Sequence, residues 1–163
     1  MDMDDDLRRI AKQEERLRFK RFDQGAAWEL GTRLKALAES RKAQIVIDIR
    51  LAREQAFFYA MPGTTTSNAD WARRKRNTVE FFHRSSYGVG LAQPQDGEKA
   101  LERTGLPVRD YADQGGGFPL LVDGVGCVGA VAISGLPERD DHMLVVEVIA
   151  QMCGVPLKDV RLP

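Results

Sequence analysis

A glycine run and two apolar runs joined by a turn occupy the stretch from residue 115 to residue 137. The first apolar run, at 118–122, ends at Asp123-Gly124, a dipeptide that favours a tight hairpin turn with positive φ at both central residues. The returning run contains two further glycines, which are typical of a bulge or of a close backbone approach. Pro137 then suits the first turn of a helix. A buried hairpin that leads into a helix predicts the core of a small α/β domain.

Length and composition favour one globular domain with no strongly charged partner. With 163 residues, 43% hydrophobic and 29% charged, we expect a single domain over 1–163, in which a helix and an extended segment at 1–22 precede a core at 23–163. The formal net charge is +0, so we expect neither nucleic acid nor a membrane as a partner. The acidic N-terminus lacks the basic and apolar regions of a signal peptide, which predicts a cytoplasmic location.

Helical and extended patterns alternate along the rest of the chain. Apolar residues at helical spacing predict helices, and β-branched or alternating runs predict strands. The segment at 17–22 fits either a short strand or an extended linker, and the segment at 107–111 predicts a brief edge strand. The predicted helices are 4–17, 23–41, 69–87, 97–103 and 138–153, and the other predicted strands are 45–51 and 55–61.

Lys75 lies on the stripe of the predicted 69–87 helix that faces the core. A buried ammonium group is costly unless it is paired. Three arrangements therefore stay open for Lys75: its side chain extends to the surface, it pairs with a carboxylate such as Asp48, or it meets an anionic ligand. Asp48 and Arg50 share one face of the predicted 45–51 strand, where they either form pairs across the hairpin or line a groove beside the sheet.

The chain has two histidines, His83 and His142, and each has two interpretations. His83 lies on the charged stripe of the long helix, so it is either a solvated side chain or a metal or haem ligand. His142 lies in the first turn of the last helix, where the positive end of the helix dipole disfavours protonation. A neutral imidazole there either forms a local hydrogen bond or binds a metal.

The common catalytic and metal-binding signatures are absent from the sequence. There is no nucleophile elbow, no phosphate-binding loop, no zinc-protease helix and no dinucleotide fingerprint, and Cys127 and Cys153 predict reduced, mostly buried thiols rather than a metal site. The run Gly115, Gly116 and Gly117 either presents clustered backbone N–H groups to an anion or forms a turn. The sequence therefore leaves the catalytic residues, if there are any, unknown and predicts no metal site.

Several segments together resemble the HbpS/GlcG-like haem-degrading-domain family, and in particular its branch of small cytoplasmic proteins. The specific matches are the segments at 116–120 and 128–135, followed by Pro137 and the acidic helix start with His142. The family includes a haem-binding extracellular protein and the C-terminal domain of PduO-type cobalamin adenosyltransferases. The resemblance implies a profilin-like fold of the α+β type, with about five antiparallel strands flanked by helices on both faces. It also implies homo-oligomers and a haem or tetrapyrrole ligand.

These observations and the resemblance lead to one main hypothesis and two alternatives. In the main hypothesis, an oligomeric domain binds haem or another planar anion in a groove near the long helix and the glycine run. Arg74 or Lys75 would pair with the ligand carboxylates, His83 or His142 would be the axial ligand, and the backbone at 115–117 would donate hydrogen bonds. The alternatives are an assembly module without small-molecule chemistry and a haem-degrading enzyme.

Overall fold

A computed structural model of the chain describes residues 3–92 and 97–163. No helix within these two ranges is both long enough and apolar enough to cross a membrane. The described elements, in chain order, are α1 (Met3–Arg16), α2 (Gln24–Ser40), β1 (Val46–Leu51), β2 (Glu54–Ala60), α3 (Thr66–Phe82), α4 (Ser86–Leu91), α5 (Ala100–Arg103), β3 (Gly117–Val122), β4 (Gly126–Ser134), α6 (Glu138–Cys153) and α7 (Leu157–Val160).

The four strands form one antiparallel sheet in the order β2-β1-β4-β3. Two hairpins, β1–β2 and β3–β4, meet where β1 pairs with β4, so that Ile47 lies between Tyr59 and Ile133. Helices α2 and α6 pack on one face of the sheet, and α3 crosses β1, β4 and β3 on the other. The predicted antiparallel sheet with helices on both faces is thus confirmed.

The sheet has four strands in the described ranges rather than the expected five. The segment at 107–111 is a turn, because the N–H groups of Asp110 and Tyr111 both donate to the carbonyl of Pro107. The segment at 17–22 forms a single bridge, in which the Phe19 N–H donates to Leu121 O over 2.8 Å. Neither segment therefore adds a strand to the sheet.

The main core lies between the sheet and the layer formed by α2 and α6. The inward side chains of the two central strands are fully buried there, and large residues from both helices pack against them. The α3 face is packed more thinly, with Ala72 against Val46 and Ala132. Fully buried side chains of the main core include Leu30, Leu34, Ile47, Ile49, Phe118, Leu120, Ile133, Leu144 and Ile149.

The long helix ends earlier than the sequence predicted. Helix α3 ends at Phe82, and His83 follows in the left-handed region with φ 56°. The Ser85 hydroxyl then accepts from the Gly88 N–H over 3.1 Å, which caps a separate helix, α4. The predicted continuous helix at 69–87 was therefore wrong at residues 83–85, because Ser85 is a strong N-cap residue that starts a new helix.

The turn at Asp123-Gly124 does not have the expected positive φ at both residues. Gly124 has φ 74°, but Asp123 is not among the described residues with positive φ. Consecutive positive φ values occur instead in the β1–β2 turn, at Ala52 (50°) and Arg53 (67°). Non-glycine residues enter this region at a cost of about 1–2 kcal/mol each, so the β1–β2 turn is strained.

Candidate functional site

Two clefts lie along α3, and each contains one of the predicted site residues, His83 in the first and Lys75 in the second. The His83 cleft, of about 380 Å³, lies at the C-terminal end of α3 and is lined by His83, Phe81, Glu80, Arg50, Arg53 and Tyr111, among others. The Lys75 cleft, of about 280 Å³, lies beside the N-terminal half of α3 and is lined by residues that include Lys75, Asp141, Trp71, Ser134 and Glu138. A wider depression near Arg18 and Cys153 contains none of the predicted residues.

His83 is the exposed histidine of the chain and lines the first cleft. Its N–H donates to Val79 O over 2.8 Å, which closes the last turn of α3 in the left-handed conformation. Two aromatic rings share the cleft: Phe81, 51% exposed, packs edge to face with Tyr111 at 6.3 Å between centroids. An accessible imidazole and an aromatic wall therefore occupy one concave surface.

Two arginines line the same cleft, but they are held differently. Arg50 lies 3.4 Å from Glu80 through Nε and Oε1, and it also donates to the backbone carbonyl of Arg53. Arg53 is exposed, and its guanidinium has no ion pair or hydrogen bond within residues 3–92 and 97–163. Arg53 is thus available to an anionic ligand, whereas Arg50 is committed to the protein.

Largely buried charges continue from this cleft along the sheet. Arg76 Nη1 donates to Asp48 Oδ2 over 2.7 Å, and Arg76 Nε lies 3.7 Å from Glu80 Oε1. Asp48 and Arg50 therefore pair with α3 rather than across the hairpin, and Arg50 also lines a groove. Asp48 Oδ1 and Glu80 Oε1 are buried without a hydrogen bond from the described residues, although Glu80 Oε1 keeps its ion-pair contacts.

Lys75 and Asp141 form a buried ion pair in the second cleft. Lys75 Nζ donates to Asp141 Oδ2 over 3.0 Å and to Ile133 O over 3.1 Å, and the two side chains are 4% and 1% exposed. The other oxygen, Asp141 Oδ1, accepts from the Leu136 N–H. Burial raises the pKa of Asp141 to about 6, although the nearby Lys75 opposes this shift. Among the open arrangements for Lys75, pairing with a carboxylate is present, and the partner is Asp141.

The glycine run packs against this ion pair, and two of its three N–H groups have partners in the chain. The Gly115 N–H donates to Glu138 Oε2 over 3.3 Å, and the Gly117 N–H donates to Ser86 Oγ over 2.9 Å. Gly116 has φ 131°, and a Cβ there would lie 2.9 Å from Lys75 Nζ. The glycines thus allow the backbone to approach the pair closely.

His142 is buried, 1% exposed, and donates from Nε2 to Gln13 Oε1 over 2.7 Å. The orientation of the Gln13 amide is set by its Nε2, which donates to Val160 O over 2.7 Å. Nδ1 of His142 is therefore the unprotonated nitrogen, and it has no hydrogen-bond partner in the described residues. Burial lowers the pKa of His142 to about 3, so the ring is neutral and joins α1 to α6.

Arg74 lies on the outer side of the Lys75 cleft. Its guanidinium stacks over the ring of Trp71, 4.4 Å from the centroid, and donates to Val108 O. Arg74 therefore supports the aromatic wall of the second cleft and does not line the His83 cleft. The structure brings Lys75, Trp71 and the glycine run together and places His83 in a different cleft.

Sequence reasoning missed Arg53, Phe81 and Tyr111 as cleft residues. Arg53 lies between the predicted strands 45–51 and 55–61 and was given no role, and Tyr111, which meets Phe81, lies in a segment that was predicted to be an edge strand. Within residues 3–92 and 97–163 no group of three or more His, Cys, Asp or Glu side chains is placed to hold a metal ion. Cys127 and Cys153 are free and partly buried.

The chain is similar to proteins of known sequence over nearly its full length. It is 52% identical to the UPF0303 protein of Azotobacter vinelandii over 99% of this chain and 98% of that protein. It is 49% identical to the UPF0303 protein of Serratia proteamaculans, over 99% of this chain and 100% of that protein. These relatives therefore align with the chain from end to end.

Solved structures with the same fold include three that are less than 25% identical to this chain. The Ybr137w protein has a TM-score of 0.80 at 24% identity, covering 91% of this chain and 87% of that one. HbpS has a TM-score of 0.66 at 15% identity, covering 83% and 92%. The PduOC:heme complex has a TM-score of 0.66 at 19% identity, covering 76% and 89%. Residues 22–150 match the family model described as haem degrading protein HbpS-like, and the chain therefore belongs to the HbpS-like family.

Proposed function

We propose that the His83 cleft binds haem or a related planar, anionic tetrapyrrole. The observation that carries this proposal is that one cleft combines the exposed His83 imidazole, the exposed Phe81 ring and the uncommitted Arg53 guanidinium. Histidine is a common axial ligand of haem iron. The family description and the heme-bound PduOC structure support haem as the first ligand to test.

The residues present fit such a ligand. His83 would bind the iron, Phe81 and Tyr111 would pack against the ring, and Arg53 would pair with a propionate. At about 380 Å³ the cleft lies near the lower end of the range for drug-sized ligands, so it would hold the part of the ring next to His83 and leave the rest of the tetrapyrrole outside. Bound haem would supply an iron centre for redox or gas-binding chemistry, while the protein would orient the ring and limit the access of water.

This proposal uses only one of the predicted site residues as a direct ligand. Lys75 and the glycine run line or support the other cleft, Arg74 stacks on Trp71, and His142 is buried. The tetrapyrrole site is therefore displaced along α3 from the groove that the sequence suggested.

A haem titration followed by the Soret absorbance tests this proposal. We expect saturable binding to the wild type, loss of the histidine-ligated spectrum in His83→Ala, and a weaker affinity in Arg53→Ala because a propionate partner is lost. His142→Gln is the matched control, since it removes the other histidine, which is buried. A weak, non-saturating change of equal size in all four proteins would contradict the proposal. Loss of the Soret band on addition of ascorbate would extend the proposal to haem degradation.

A second candidate function is self-association through the free edge of β2. Only β1 pairs with β2 in the described sheet, and the strand Glu54–Ala60 contains no Lys, Arg or Pro to protect its edge. Phe58, 45% exposed, lies on the same face of the sheet as α3, on a strand that α3 does not cover. Trp28, 66% exposed, packs on Phe57. An antiparallel strand can pair with its own copy about a two-fold axis.

Light scattering after size exclusion tests this second candidate. We expect an oligomer for the wild type and a monomer for Phe58→Lys, because a charge at the free edge disfavours strand pairing. Val108→Lys is the control, since Val108 is 69% exposed and lies away from β2. A wild-type monomer, or an oligomer that persists in Phe58→Lys, would contradict pairing through β2.

A further inference from the structure

The Lys75 cleft contains a buried ammonium group with an unused donor. An ammonium has three N–H groups, and two of those on Lys75 donate to Asp141 Oδ2 and Ile133 O. No third partner occurs in the part of the chain that the structure describes. Lys75 is 97% buried, and it lines the cleft. The remaining donor is therefore available to a group that enters the cleft.

Further uncommitted polar groups line the same cleft. Ser134 is 5% exposed, and its hydroxyl has no hydrogen-bond partner in residues 3–92 and 97–163. Asn68 accepts from the Thr65 N–H through Oδ1, which leaves its NH₂ group free. Gln114 is likewise without a hydrogen bond in the described ranges. Amide and hydroxyl donors beside a buried ammonium are suited to a carboxylate.

A ligand that has a carboxylate but no positive group would be disfavoured in this cleft. Its lining carries one ammonium, on Lys75, and two carboxylates, on Asp141 and Glu138. Asp141 is neutralised by its partner, whereas Glu138 is exposed at the rim and uses only Oε2, which accepts from the Gly115 N–H. Oε1 of Glu138 is free to accept from a cation. The cleft thus presents an unused N–H donor of Lys75 at its floor and a free carboxylate oxygen of Glu138 at its rim.

We infer that the Lys75 cleft binds a small α-amino acid, whose carboxylate accepts from Lys75 and Ser134 and whose ammonium donates to Glu138. The cleft, of about 280 Å³, is slightly smaller than the usual sites for drug-sized ligands, which favours an amino acid with a short side chain. Trp71, fixed by the Arg74 guanidinium stacked on it, forms the wall against which that side chain would pack. This site is separate from the proposed tetrapyrrole site.

Isothermal titration calorimetry with L-alanine and L-serine tests the inference, with acetate and ethylamine as half-ligands. We expect saturable binding of the amino acids and at least tenfold weaker binding of each half-ligand. Glu138→Gln removes the charge but keeps an oxygen that can accept from the Gly115 N–H, so the fold is preserved. We expect this variant to bind L-alanine at least tenfold more weakly.

Two controls separate this inference from the tetrapyrrole proposal. Arg53→Ala, in the other cleft, should bind L-alanine as the wild type does, and Glu138→Gln should keep the haem spectrum of the wild type. Ser134→Ala removes the hydroxyl donor and leaves Lys75 and Asp141 in place, and it should weaken the binding of L-alanine. The absence of a saturable heat for both amino acids would overturn the inference. Equal binding of acetate and L-alanine, unchanged in Glu138→Gln, would overturn it as well.

Discussion

The two clefts lie along the same helix but are built in opposite ways. At the His83 cleft, the Arg50 and Glu80 side chains are 23% and 16% exposed, and the backbone is left-handed at Ala52, Arg53 and His83. At the Lys75 cleft, the paired side chains are 4% and 1% exposed. Strained backbone and underused polar groups are typical of ligand sites. The His83 cleft suits a large ligand that pairs with the underused polar groups of the protein. The Lys75 cleft suits a small ligand that enters a rigid polar site.

Breaking the buried ion pair should produce the largest change in stability. Asp141→Ala leaves the Lys75 ammonium unpaired in the interior, and we expect a loss of about 3–5 kcal/mol in the free energy of unfolding. Glu80→Ala, at the more exposed pairs of the other cleft, should cost about 1 kcal/mol. Urea denaturation measures both values. Equal losses in the free energy of unfolding for the two variants would show that the ion pairs of the two clefts contribute equally to stability.

The double variant Lys75→Met/Asp141→Leu separates the ion pair from its burial. Two apolar side chains of similar volume leave no unpaired charge, so this protein should be more stable than Asp141→Ala. A double variant that is no more stable than the single one would show that packing, and not the unpaired charge, accounts for the loss.

The next largest effect on stability should come from the close approach of the glycine run to the ion pair. A Cβ at Gly116 would lie 2.5 Å from Ile133 O and 2.9 Å from Lys75 Nζ, at φ 131°. We expect Gly116→Ala to cost about 2–4 kcal/mol from strain and crowding together. Gly126 also has positive φ, 104°, but nothing lies near its Cβ position, so Gly126→Ala should cost about 1 kcal/mol. Thermal denaturation compares the two, and similar values would contradict the crowding argument.

Local sequence signals predicted most of the fold. Asp23 caps α2 through a 2.8 Å hydrogen bond from the Ala26 N–H, and α6 ends at Gly154 with φ 68°. These features depend on residues a few positions apart, so the sequence contains the relevant chemistry. The two hairpins and the last helix were predicted for the same reason.

The site was harder to predict because its contacts join distant segments. Asp141 is 66 residues from Lys75, and the sequence suggested Asp48 as a partner only because its own partner, Arg76, could not be identified from spacing. The glycine run could be recognised as conformationally special, but the partners of its N–H groups follow from how α4 and α6 pack. The division of Lys75 and His83 between two clefts likewise depends on tertiary structure.

The two buried titratable groups Asp141 and His142 should give the free energy of unfolding opposite pH dependences. The pKa of Asp141 is raised from 3.8 to about 6, so its contribution to stability is present below pH 3.8 and is lost as the pH rises through 6. The pKa of His142 is lowered from 6.5 to about 3, so its contribution is present above pH 6.5 and is lost as the pH falls. Between about pH 4 and pH 6 the two slopes oppose each other.

Removing one group should reveal the slope of the other. Relative to wild type, His142→Gln should gain about 2–3 kcal/mol of unfolding free energy between pH 6 and pH 4, at about 1.4 kcal/mol per pH unit. Asp141→Asn should lose a similar amount over the same range. Urea denaturation at several pH values measures the slopes, and His83→Gln, which is exposed, serves as the control. Parallel curves for wild type and His142→Gln would show that His142 does not titrate as proposed.

The smallest effect concerns backbone strain at the His83 cleft. Arg53 (φ 67°) and Lys42 (φ 55°) are both exposed and left-handed, but only Arg53 lines the cleft. Arg53→Gly and Lys42→Gly should each stabilise the protein by about 0.5–1 kcal/mol, because glycine adopts positive φ without strain. Arg53→Gly alone should weaken haem binding, since it also removes the proposed propionate partner. If both variants stabilise the protein and neither changes the haem titration, the strained turn has no role in binding and the ligand lies elsewhere along α3.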